Sequence, residues 1–289
     1  ISTGYVLEIP PSNSTLTITP LSKSFDSNGG NGEITVTASE NTNWTAKSDS
    51  TWITVTGGTD GIDSFEKHVI TDSADGATSV HAADMDGDND IDVIYASEYG
   101  VDAIAWCEND GSGNFVIHII TTTANQPTSV FAADVDQDGD VDVLSASGYD
   151  DTIAWYENDG SGNFNLHKIT TAVDYPTSVY AIDMDGDGDM DVLSSSQLDN
   201  TIAWYENDGS ENFTAHKIST SALRARSVHA ADVDGDGDMD VLSASDQSDG
   251  SISWHENDGS ENFTAHSITT DRCCQGSVYA ADIDDDGVL

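Results

Sequence analysis

From about residue 64 onward, apolar and polar positions alternate in short runs separated by Asn, Asp, Gly and Ser. A period of two with such punctuation is the mark of half-buried strands, not helices. One unit can be read in full. Ser178-Val179-Tyr180-Ala181-Ile182 reads as a strand that enters an acidic loop, and Asp191-Val192-Leu193-Ser194-Ser195 as a strand that leaves it. Gln197–Asn200 is a turn, Thr201–Glu206 a third strand, Asn207-Asp208-Gly209-Ser210 a tight hairpin turn, and Phe213–Ile218 a fourth strand. Four short antiparallel strands in a unit that recurs about every 50 residues predict all-β architecture, with β-propeller blades and about 4.5 repeats. The anchors recur in phase: Trp106, Trp155, Trp204 and Trp254 on the third strand, then Phe115, Phe164, Phe213 and Phe263 opening the fourth. Phe65 would open the same strand one unit earlier. A histidine follows each Phe (His68, His118, His167, His216, His266), and a residue repeated once per unit points to a structural hydrogen bond rather than to catalysis.

The first 57 residues differ. They are rich in Ser, Thr and Asn, with alternating runs at 15–19, 33–38 and 52–56, and Trp44 and Trp52 as candidate core residues. This pattern predicts a partial immunoglobulin-like β module over 1–57, a linker over 58–63 and the repeat array over 64–289.

The acidic loops carry the candidate chemistry. Asp84, Asp86, Asp88, Asp90 and Asp92 form the first. Asp134, Asp136, Asp138, Asp140 and Asp142 form the second, and Asp183, Asp185, Asp187, Asp189 and Asp191 the third. Asp232, Asp234, Asp236, Asp238 and Asp240 form the fourth, and Asp282, Asp284 and Asp286 begin a fifth. Loop starts are 50, 49, 49 and 50 residues apart. Alternate carboxylates on a short loop suit calcium, which takes six to eight oxygens. Side chains at positions 1, 3 and 5, a backbone carbonyl at position 7 and a closing acid at position 9 would form the shell. Position 6 reads Asn89, Gly139, Gly188, Gly237 and Gly287, residues that tolerate a left-handed backbone. The competing reading is a solvated acidic run, and five loops in phase weigh against it.

Composition sharpens this. The chain of 289 residues holds 53 acids and 8 Lys or Arg, for a formal net charge of −45. Nearly half of the acids sit in these loops. Nucleic acid and anionic membrane both need basic patches, so neither is an expected partner. Membrane insertion is not expected either, since no run of 18 apolar residues occurs. Of three cysteines, Cys107 takes a slot that is Tyr156, Tyr205 or His255 in other units, which predicts a buried thiol. Cys273-Cys274 leaves a vicinal disulfide open. Ile at position 1 and a fifth loop broken off at Leu289 read as a fragment of a longer protein.

Two resemblances follow from quoted residues. The Asp-x-Asp-x-Asp-Gly-Asp-x-Asp loop, Trp-Tyr-Glu-Asn-Asp-Gly-Ser and the following Asn-Phe resemble the FG-GAP/VCBS repeat superfamily, which includes the propeller blades of integrin α-subunits. The resemblance implies calcium held by side chains 1, 3, 5 and 9 and the carbonyl of residue 7. Leu16–Pro20, Val36-Thr37-Ala38, Asn43–Ala46 and Ser50–Val55 resemble the BACON domain, which implies secretion and a carbohydrate or mucin ligand.

The expected function is a calcium-binding extracellular or cell-surface repeat module, non-catalytic, for adhesion or for recognition of a glycan or protein ligand. The alternative is an accessory propeller region of a larger secreted carbohydrate-active hydrolase or lyase. A catalytic centre needs one unique acid or base beside an open site, whereas these units are near equivalents.

Overall fold

The computed structural model describes the backbone of four N-terminal strands and residues 69–98, 102–246, 251–269 and 276–282. The chain divides into two compact units, Ile1–His68 and Val69–Leu289. In the first, β1 (Tyr5–Glu8) pairs antiparallel with β4 (Thr45–Ser48), and β2 (Leu16–Thr19) pairs antiparallel with β3 (Thr35–Ala38). Trp44, Trp52, the run 52–56, Phe65, His68 and Cys273-Cys274 lie outside the described residues, as do Asp284 and Asp286.

The second unit is four sheets of four antiparallel strands, each a simple meander. Blade 1 comprises β5 (Ala77–Ala83), β6 (Asp92–Ser97), β7 (Ala103–Asn109) and β8 (Phe115–Thr121). Blade 2 comprises β9 (Pro127–Ala133), β10 (Asp142–Ser147), β11 (Thr152–Asn158) and β12 (Phe164–Thr170). Blade 3 comprises β13 (Pro176–Ile182), β14 (Asp191–Ser196), β15 (Thr201–Asn207) and β16 (Phe213–Ser219). Blade 4 comprises β17 (Ala225–Ala231), β18 (Asp240–Ser245), β19 (Ser251–Asn257) and β20 (Phe263–Thr269). Among the described residues there is no helix, and so none long and apolar enough to cross a membrane.

The cores lie between blades. One cluster joins Ile94, Ile104 and Trp106 of blade 1 to Val130, Val143 and Tyr156 of blade 2. A second joins Leu144, Ile153 and Trp155 to Val179, Val192 and Tyr205. A third joins Leu193, Ile202 and Trp204 to Val228 and Val241. The inner strands show what this does: Val130, Val179 and Val228 are about 5% exposed, whereas Val80 of blade 1 is 68% exposed. Each later blade buries that face against its predecessor. Burial on this scale, at ~25 cal/mol per Å2 of apolar surface, is the main force that assembles the array.

Polar contacts fix the register between blades. Thr78, Thr128 and Thr177 donate their hydroxyl protons to the carbonyls of Pro127, Pro176 and Ala225 of the next blade, at 2.6, 2.8 and 2.8 Å. The adjacent Ser79 and Ser129 accept the backbone N–H of Val130 and Val179. The slot held by His81, Phe131, Tyr180, His229 and Tyr279 forms a continuous run of tilted and edge-on ring contacts from blade to blade, with centroids 4.4–4.9 Å apart. The repeated histidines have structural partners. Each ring stacks on the Trp of its own blade at 4.5–4.6 Å, and its Nε2 meets Glu108, Glu157, Glu206 or Glu256 at 2.6–2.7 Å. Cys107 is a buried free thiol, and burial pushes its pKa up.

Candidate metal centres

Each acidic loop joins the first strand of a blade to the second. Left-handed residues close the turn: at position 6, Asn89 has φ 72° and Gly139, Gly188 and Gly237 have φ 99–100°. Position 4 is left-handed too, as Gly87, Gln137, Gly186 and Gly235. The sequence pattern pointed to position 6 alone, although Gly at position 4 in three loops was the available signal.

The five acids of a loop do not share one role. Positions 1, 3 and 9 converge: Asp84, Asp86 and Asp92 each offer an oxygen, and these lie within 4.8 Å of one another. The same holds for Asp134, Asp136 and Asp142, for Asp183, Asp185 and Asp191, and for Asp232, Asp234 and Asp240. These groups can hold a metal ion. Position 5 is not brought into the cluster. Asp88, Asp138, Asp187 and Asp236 accept the backbone N–H two residues on at 2.8–3.0 Å, as the position-3 acids do at 3.1–3.2 Å. The position-7 side chains, Asp90, Asp140, Asp189 and Asp238, lie over the hairpin glycines Gly111, Gly160, Gly209 and Gly259, where an added Cβ would collide with the carboxylate. In the fifth loop Asp282 alone is described.

Position 9 is anchored more firmly than its role as closing acid implied. Asp92, Asp142, Asp191 and Asp240 are fully buried. In each, Oδ2 accepts the N–H of loop residue 2 (Met85, Val135, Met184, Val233) at 2.9–3.0 Å. Oδ1 accepts the N–H of Asn109, Asn158, Asn207 or Asn257, which ends the third strand, at 2.7–2.8 Å. Position 1 closes the loop itself: Asp183 Oδ1 accepts the N–H of Gly186 at 2.8 Å and Oδ2 that of Gly188 at 3.1 Å.

The electrostatics ask for a cation. Burial pushes Asp142 up to about 6 and Asp191 up to about 7, against the pull of the backbone N–H bonds. Burial likewise raises Asp92, and it raises Asp86, Asp136 and Asp185 with help from neighbouring carboxylates. The Trp155 indole approaches Asp142 closely enough to favour its charge but makes no hydrogen bond. Asp134 Oδ1 is buried with no hydrogen-bond partner. A buried carboxylate oxygen in that state costs free energy unless a cation or proton satisfies it. The donor set, all hard oxygen, fits a hard cation.

The FG-GAP-like repeat model matches residues 84–145, 134–194, 183–243 and 232–289, each match opening on the first aspartate of a loop. The chain belongs to the FG-GAP-like repeat family. The acid clusters thus fall at the same place in every FG-GAP-like repeat of this chain. A viral BACON domain model matches residues 15–85. Two solved structures are similar at low identity. The Vibrio cholerae biofilm matrix protein Bap1 is 15% identical over 71% of this chain and 41% of that one, with a TM-score of 0.38. A putative 6-phosphogluconolactonase from Bacteroides uniformis is 10% identical over 68% of this chain and 71% of that one, with a TM-score of 0.39. This chain therefore spans less than half of the biofilm protein's length. No curated protein matches the chain.

Proposed function

We propose that the array is a calcium-binding, non-catalytic recognition module that works outside the cell, in adhesion or in binding a glycan or protein ligand. The observation that carries calcium is the recurrence of three converging carboxylates, one of them fully buried, in each of four loops. The partnerless Asp134 Oδ1 supports it. Asp84, Asp86 and Asp92 and their three counterpart sets would hold the ion, which would neutralise the acids and brace the loop. Loops of this kind suit compartments where calcium is plentiful, which supports an extracellular setting. The equivalence of the four clusters supports a structural ion over a catalytic one. The acidic surface favours neither nucleic acid nor membrane as partner. The short antiparallel pairs of the first unit support an immunoglobulin-like β module there.

Isothermal titration of the chelator-treated protein with calcium chloride tests the reading. Binding at close to one ion per complete loop is expected, with a raised melting temperature and magnesium bound far more weakly. No binding heat together with unchanged melting in EDTA would sink it. A glycan and matrix-protein array, probed with calcium present, tests recognition separately.

A further inference from the structure

The near-identical blades carry four different residues at one place. At the ends of the inner strands remote from the acidic loops, the residue just before each inner strand is left-handed in every blade: Gly76, Gln126, Tyr175 and Arg224, with φ 52–65°. Blade 1 has glycine there, and the others keep bulky side chains in a conformation that costs ~1–2 kcal/mol for an L residue. The strain is held from both sides. The N–H groups of Gln126, Tyr175 and Arg224 donate to Asp102, Asp151 and Asn200 of the preceding blade. Their carbonyls accept from the N–H of Gly148, Gln197 and Asp246. Strain retained in this way marks positions where a side chain is being aimed.

One of them, Tyr175, lines a cavity of about 440 Å3, together with Thr78, Thr128, Thr177, Glu98 and Arg226. We propose that this axial cavity binds a saccharide, a neutral hexose or amino sugar rather than a uronic acid. This rests on the recognition reading above and gives it a site and a ligand class. The three threonines have committed their protons to carbonyls of the next blade. They therefore face the cavity as acceptors only, and the Glu98 carboxylate, held by Gln126 Nε2 at 3.0 Å, is another. Such a wall calls for a ligand rich in O–H or N–H donors. Arg226 replaces the threonine of the other three blades and supplies donors, while Asp246 at 2.8 Å balances its charge. Because the Arg226 charge is already met by Asp246, the Glu98 carboxylate is the uncompensated charge of the lining, which disfavours an anionic sugar. Tyr175, packed over Gly148, offers an aromatic face for the C–H side of a pyranose ring. The volume lies within the ~300–1,000 Å3 of small-molecule sites.

The test uses the whole chain in calcium, with saturation-transfer NMR and calorimetry against galactose, N-acetylglucosamine and glucuronate. Millimolar binding of at least one of the first two is expected, about −4 kcal/mol, with glucuronate at least tenfold weaker. Glu98→Gln and Arg226→Thr should each lower affinity about tenfold while the melting temperature stays near that of the parent. Two variants guard against one being misfolded. Sugar binding that neither variant alters would place the site elsewhere and leave the recognition reading standing. Calcium binding with no response to any of the sugars would overturn the saccharide assignment alone. Loss of calcium binding as well would take the recognition reading down with it.

Discussion

The buried position-9 acids make a prediction that separates calcium binding from a merely acidic surface. Asp142 and Asp191 have folded pKa values of about 6 and about 7, against 3.8 for an unperturbed Asp. Their folded values are raised, so the native state binds protons more tightly than the unfolded chain. Stability from this source is full below about pH 4 and is lost as pH rises through 6 to 7. At 1.36 kcal/mol per pH unit, the ionisation penalty reaches about 3 kcal/mol for Asp142 and about 4 kcal/mol for Asp191. Discounted for solvent reaching the loop mouth, about 2 kcal/mol per site is the working figure. Calcium bound at these acids would reverse the sign, because it would take the ionised form and compete with the proton. At a hundredfold excess over its dissociation constant it would contribute about 2.7 kcal/mol per site.

The assay is thermal melting from pH 5 to pH 8, with calcium and with EDTA, reading the difference between the two. His81, His229 and His255 titrate in the opposite sense, since burial lowers their pKa and their stabilisation is lost as pH falls. They are present in both states and cancel in the difference. Asp110, Asp159, Asp208 and Asp258 have lowered pKa values and act below the unfolded aspartate range, outside this window. The calcium-dependent gain should grow by about 4 kcal/mol across the two sites, or about 10 °C at ~2–4 °C per kcal/mol. A gain that is the same at pH 5 and pH 8 would refute the linkage between these buried acids and the ion.

Three further outcomes follow from named contacts. Asp191→Asn keeps one acceptor but turns an amide donor on a backbone N–H, so unfolding in urea should show a loss of about 3 kcal/mol. Calorimetry on the same variant should find about one fewer calcium ion bound. Trp204→Ala empties a fully buried site in the interface between blades 3 and 4 and should cost ~3–5 kcal/mol in the same assay. Gly209→Ala places a Cβ against the Asp189 carboxylate at φ +68° and should lower the melting temperature, while Ser210→Ala beside it should not.

Much of this was legible because the strands and anchors repeat. Trp155 opposite Leu144 and His167 is visible as a recurring slot before any coordinates. Alternation alone could not say which face of a strand meets which blade. Val80 and Val130 occupy the same slot in sequence, and only the neighbouring blade makes one exposed and the other buried. The acid loops were legible as a group but not in their division of labour. Nothing in alternate aspartates distinguishes Asp187, which stays outside the converging group, from Asp185, which joins Asp183 and Asp191 in it. The left-handed Gln126, Tyr175 and Arg224 were invisible for a related reason. Their backbone is dictated by clamps from the preceding blade, and no local preference of Gln, Tyr or Arg announces it.

The loops also bear on how the blades hold together. The peptide of Met85 donates its N–H to Asp92, and its carbonyl accepts from the Asn158 side chain of the next blade. The backbone N–H of Asn158 in turn donates to Asp142 of the second cluster. Val135 and Asn207 repeat the link from the second cluster to the third. Asp92, Asp142 and Asp191 are therefore each one peptide and one amide away from the next. An ion that stiffened one loop would order the carbonyl on which the neighbouring blade's asparagine rests. At 3.3 Å these inter-blade bonds are individually weak, and they gain strength only if the carbonyl is held still. Seated at the junction of two sheets rather than at a free tip, each acid cluster acts on an interface that buried valines and tryptophans have already assembled.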